Sequence, residues 1–139
     1  MTVKNVFDRK ARKLVSFNDP MLQKIFGNAE LKGIWEIYGV EKNGKTWFAL
    51  QLAKDLSACH KVVYVSAEEG VDLSFQEALK RAGVTTAHKI LFTEYLTLEE
   101  IIDTYSKPRT ADIIFIDNMT MYVDDFKRYG LVNFINALP

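Results

Sequence analysis

A single cysteine, Cys59, rules out an internal disulfide and makes a reducing compartment the simpler expectation. No stretch approaches the roughly 18–20 consecutive apolar residues that a membrane-crossing helix needs. Residues 1–13 are charged and lack the apolar stretch of a secretory signal. A soluble, cytoplasmic protein with no membrane partner is expected. An excess of one charge is also missing. The 18 Lys and Arg balance 18 Asp and Glu, so overall charge gives no pull toward nucleic acid or a lipid surface. His60 and His88 stand apart from any Cys or His at metal-ligand spacing, which argues against a zinc site. Repeats, coiled-coil heptads and low-complexity linkers are absent.

What is present fits one domain: 139 residues, 48% of them apolar, can supply a core. Charge is unevenly spread. Residues 1–60 carry a net +4, mostly from Lys4, Arg9, Lys10, Arg12 and Lys13, and residues 61–139 a net −4. Residues 1–30 read as a basic, irregular N-terminal linker, with helical turns over 20–26 after Asn18-Asp19-Pro20. Residues 31–139 read as the folded domain.

Within that domain short β-branched runs alternate with helical patterns. Strands are expected at 33–38, 61–66, 89–92 and 112–117. The last is apolar on both faces, as a central parallel strand would be. Helices are expected over 47–56, over 72–82 with Leu73, Gln76, Leu79 and Lys80 at helical spacing, and from Thr97 to Tyr105. There Thr97 and Glu100 form a capping-box signal. A final helix should run from Asp124 or Asp125 to Leu138. The alternation predicts an α/β fold, a three-layer sandwich around a mainly parallel sheet.

The chemistry is concentrated at Gly39-Val40-Glu41-Lys42-Asn43-Gly44-Lys45-Thr46, which matches the Walker A pattern G-x-x-x-x-G-K-[ST] between an expected strand and helix. Successive backbone N–H groups of such a loop cradle phosphate oxygens, and the following helix offers its unpaired N–H groups to the same anion. ATP or GTP is the expected ligand. Lys45 should bridge the β- and γ-phosphates, and Thr46 should place its hydroxyl on Mg²⁺. Glu41 and Lys42 are given no catalytic part. Mg²⁺ needs further hard oxygen ligands, and Asp117, closing an apolar strand, is the expected metal-side carboxylate. Glu68, and after it Glu69, at the end of the strand ending at Ser66, are candidates to orient and deprotonate water.

The order Glu36-Ile37-Tyr38-Gly39, Gly44-Lys45-Thr46, Tyr64-Val65-Ser66-Ala67-Glu68-Glu69 and Ile113-Ile114-Phe115-Ile116-Asp117-Asn118 resembles the RecA/RadA/DnaB group of P-loop ATPases over residues 17–116 and onward. The resemblance implies a RecA-like core with Glu68 as the catalytic glutamate and Asp117 as the Walker B aspartate. It implies Mg²⁺-dependent ATP hydrolysis, work in DNA recombination, repair or replication, and homo-oligomeric rings or filaments in the full-length form. The family sheet has a further strand between the phosphate-loop strand and the Walker B strand, and the sequence stops where that strand should begin. A truncated form, or a sheet completed otherwise, is therefore expected. The first family DNA loop would fall near 119–129, where Tyr122, Lys127, Arg128 and Tyr129 could touch DNA; Asp124 and Asp125 oppose it, and a solvated helix start is the favoured reading of this region.

Several residues have plainer readings. Trp47 is expected in the core, with reach toward the nucleotide as the alternative. Cys59 reads as a buried apolar filler. Tyr38, Tyr64 and Phe92 read as core, and Arg109 as a loop residue that could serve a neighbouring subunit as an arginine finger. Two other functions stay open: a regulatory or assembly module that binds nucleotide with little hydrolysis, and a small-molecule kinase, for which residues 83–110 are poor in arginine.

Overall fold

Val62-Val63-Tyr64-Val65 is a β-branched and aromatic run with no polar face, and it forms the middle of the sheet. A computed structural model describes residues 1–10, 13–39 and 44–138. The strands are β1 (Val62–Ser66), β2 (Ile90–Thr93) and β3 (Ile113–Asp117), all parallel, in the order β2-β1-β3. The register sets Tyr64 between Phe92 and Phe115, and Ser66 opposite Asp117. The helices are α1 (Val3–Phe7), α2 (Pro20–Phe26), α3 (Lys45–Leu56), α4 (Leu73–Ala82), α5 (Leu98–Tyr105), α6 (Val123–Tyr129) and α7 (Leu131–Ala137), with a 3-10 turn over Met119–Tyr122.

The chain leaves β1 toward one side for β2, then recrosses β1 to reach β3. Crossovers of one hand, run in opposite directions, place their helices on opposite faces. Accordingly α3 and α4 cover the face of Val62, Tyr64, Ile113 and Phe115, with Leu50, Ala53 and Phe75 filling the layer. The other face, Val63, Val65, Ile114 and Ile116, is covered by Leu98, Ile101, Tyr122 and Phe134. The result is an α/β fold on a small open parallel sheet. Phe75 is 1% exposed and packs against Tyr64 and Phe92 at ring-centroid distances of 5.8 Å each. Phe75→Ala should lower stability by about 3–5 kcal/mol, read as a fall in the urea midpoint.

Local signals hold at several helix ends. Thr97 and Glu100 form the reciprocal capping box, Asp19 caps α2 with Pro20 at its first position, and Gly83 ends α4 in the left-handed conformation. Other expectations are corrected. Residues 33–38 form no strand. Ile34, Ile37 and Tyr38 are 56%, 40% and 85% exposed. A strand exists only where a neighbour offers a hydrogen-bonding edge, and among the described residues none faces this stretch. Trp35 alone finds packing, stacked on Phe26 at 5.0 Å and Phe17 at 6.3 Å. For the same reason β3 is not central. Every residue of β1 is buried, whereas β3, with one strand neighbour among the described residues, is half-buried throughout. Gly130, at φ 90° and ψ 128°, splits the expected last helix into α6 and α7. In α4 the buried anchor is Phe75, while Leu73 is 66% exposed.

Residues 13–31 are tied to the domain. Leu14 and Glu30 form an antiparallel bridge, Val15 and Leu22 join the core, and the Asp55 carboxylate of α3 accepts the backbone N–H groups of Asn18 (3.0 Å) and Asp19 (2.9 Å). His60, 6% exposed, accepts the Ser16 N–H at Nε2 (3.1 Å), while its buried Nδ1 has no partner among the described residues. Burial holds this imidazole below its ordinary value of 6.5. Asp112 favours protonation and Lys13 opposes it. The unfolded chain thus takes up a proton near pH 6.5 and the folded chain resists it. The urea midpoint should be level above that pH and fall below it, and His60→Gln should flatten the fall.

Candidate functional site

The C-terminal ends of β1 and β3 meet the N-terminus of α3, and the motif residues converge there. Gly44 stands at the N-cap of α3 with φ 79° and ψ 21°, a left-handed conformation that costs glycine nothing. Its carbonyl accepts the Phe48 N–H at 2.9 Å, closing the first turn of the helix. Lys45 folds back so that Nζ donates to the Gly39 carbonyl at 2.9 Å, joining the two ends of the phosphate-loop motif. Val40, Glu41, Lys42 and Asn43 lie outside the described residues.

Thr46 follows one position later and faces the sheet, on the helix face that continues through Leu50 and Ala53. Its Oγ1 donates to Asp117 Oδ2 at 2.9 Å, across 71 residues of sequence. Asp117 is brought there by strand alternation, since Ile113, Phe115 and Asp117 share the α3 face. The same Oδ2 accepts the Tyr64 hydroxyl at 2.7 Å. Tyr64 is fully buried, and its hydroxyl is held well above the ordinary range by burial first and by Asp117 second, so it stays a donor.

Glu68 belongs to the same end. The turn after β1 folds over the end of β3, with Ala67 N–H on the Asp117 carbonyl at 2.6 Å. The exposed Glu68 side chain accepts from Asn118 Nδ2 at 3.1 Å. Glu69 turns instead toward α4, where the Ser74 hydroxyl approaches it at 3.5 Å. The arrangement brings one ammonium, two hydroxyls and two carboxylates to the N-terminus of α3 and the adjoining ends of β1 and β3. Its hard oxygens suit a small divalent cation. No cluster of three or more His, Cys, Asp or Glu exists among the described residues, and Mg²⁺ at a phosphate site needs only one or two carboxylates. A concavity of about 340 Å³, lined by Lys61, Val62, Lys89, Ile90 and Thr110, sits at the opposite end of the sheet and takes no part.

Four side chains are not where the sequence suggests. Trp47 is 52% exposed, because the α3 face toward the sheet is taken by Thr46 and Leu50. Cys59, in the turn after α3, is exposed and not a core filler. Tyr38 is exposed rather than core. Tyr122 is fully buried with its hydroxyl on the Leu96 carbonyl at 2.6 Å, and burial pushes it up to about 12, so it offers no ring to a base. Lys127, Arg128 and Tyr129 are exposed at the end of α6, and Arg128 pairs with Asp125 at 2.7 Å. Arg109, exposed and at φ 65°, gives its carbonyl to Lys61 Nζ at 2.8 Å. Sequence reasoning missed the link from Tyr64 to Asp117. The shared parity of Tyr64 and Ser66 in one strand, and of Phe115 and Asp117 in the other, was the available signal. Among the described residues no helix is long and apolar enough to cross a membrane. Comparisons with protein-family models, with curated proteins and with solved structures each return no match.

Proposed function

We propose that this chain binds magnesium ATP on the loop 39–46 and hydrolyses it, as a RecA-like P-loop ATPase whose work concerns DNA recombination, repair or replication. The observation that carries the reading is the 2.9 Å hydrogen bond between Thr46 and Asp117. Two residues that motif chemistry assigns to one Mg²⁺ site, remote in sequence, touch at the C-terminal edge of a parallel sheet, where α/β folds bind ligands.

In this reading the Lys45 ammonium exchanges the Gly39 carbonyl for the β- and γ-phosphate oxygens. Thr46 Oγ1, its hydrogen held by Asp117, and Asp117 itself would hold Mg²⁺. Mg²⁺, when bound, neutralises charge on the phosphates. Glu68, steadied by Asn118, orients a water for attack on the γ-phosphorus and takes its proton, leaving ADP and phosphate. The finer P-loop sandwich, a homo-oligomeric assembly and DNA as partner belong to the same proposal. Titration with ATP at fixed Mg²⁺, followed by phosphate release with and without single-stranded DNA, tests it. Saturable, Mg²⁺-dependent binding with turnover is expected. Absence of binding removes the reading, and binding without turnover reduces it to a nucleotide-sensing module.

A further inference from the structure

We propose that Tyr64 is a positioning residue for the metal side of this site, holding Asp117 in the one orientation from which it also holds Thr46; this rests on the reading given above.

The ring of Tyr64 has little freedom. It lies fully buried on the middle strand, stacked on Phe115 at 5.5 Å and 12°, and flanked by Phe75 at 5.8 Å and Phe92 at 5.6 Å. Phenylalanine would serve this aromatic cluster as well, so the hydroxyl needs a separate explanation. It donates to Asp117 Oδ2 at 2.7 Å, and the Thr46 hydroxyl donates to the same oxygen at 2.9 Å. Two donors from two elements, β1 and α3, fix the carboxylate about its own strand end. Oδ1 takes no hydrogen bond from the protein among the described residues. Because Asp117 receives the Thr46 hydrogen, the Thr46 oxygen presents lone pairs and not a proton to a cation. Tyr64 acts one step removed, as outer partners of metal ligands do when they set the orientation of groups that bind the ion.

The test is a Mg²⁺ titration of ATP binding in the whole chain, comparing wild type, Tyr64→Phe and Phe115→Leu, with nucleotide affinity in EDTA measured alongside. Tyr64→Phe should raise the Mg²⁺ concentration for half-maximal binding by about 10–100-fold and leave the EDTA affinity unchanged. Phe115→Leu, which removes the stacked ring and keeps the hydroxyl, should leave the Mg²⁺ dependence unchanged. If wild type shows no Mg²⁺-dependent binding, the functional reading fails and Tyr64's part with it. If wild type shows it and Tyr64→Phe matches wild type, only the positioning role is overturned. Equal shifts in Tyr64→Phe and Phe115→Leu also overturn it, by making the effect one of packing. Should Tyr64→Phe not fold, 3-fluorotyrosine at position 64 keeps the shape and alters the strength of the donor on Asp117. The Mg²⁺ half-saturation must then change, and an unchanged value overturns the proposal.

Discussion

Lys45→Ala should weaken binding of magnesium ATP about 100-fold or more, equivalent to ~2.8 kcal/mol. The Lys45 ammonium donates to the Gly39 carbonyl at 2.9 Å. It is half-buried at the start of α3, where the peptide dipoles already favour an anion. Removing it costs little packing, so the melting temperature without ligand should hardly move. The rise in melting temperature on adding nucleotide should disappear. Isothermal titration and thermal shift report the two effects separately. Retained affinity would mean that the loop does not hold phosphate through this side chain.

Glu68→Gln should leave binding intact and cut turnover by about 10²–10⁴-fold. The substitution isolates protonation from geometry. Asn118 Nδ2 now donates to a Glu68 oxygen at 3.1 Å, and a glutamine carbonyl can accept the same bond. What is lost is the capacity to take a proton from water. Single-turnover phosphate release, with ATP bound in both proteins, is the measurement. Equal rates would strip Glu68 of its role and turn attention to Glu69, which the Ser74 hydroxyl approaches.

The elements that could be read from the sequence are those set by nearby residues. The three strands, helix α3 behind Gly44-Lys45-Thr46, and the Thr97–Glu100 box all follow from patterns a few residues long. The partnership of Thr46 and Asp117 was also legible, because the motif chemistry names both. Long-range facts were not. Residues 33–38 carry the β-branched and aromatic residues of a strand, but pairing depends on a neighbour that no local pattern supplies. Tyr38, Trp47 and Cys59 looked interior because apolar residues are more often buried than exposed, a tendency that does not bind any single residue. Asp55 to Asn18, His60 to Ser16 and Tyr64 to Asp117 join positions 37, 44 and 53 residues apart, and no pattern a few residues long names partners so distant. The split at Gly130 could have been inferred from the glycine itself.

Helix α3 is gripped at both ends by the chain that precedes it. Near its C-terminus Asp55 clasps Asn18 and Asp19, and at its N-terminus Lys45 clasps Gly39. The intervening polypeptide is thus fastened at both ends to one helix of roughly 18 Å. Freeing one fastening leaves the other to hold that segment against the same helix.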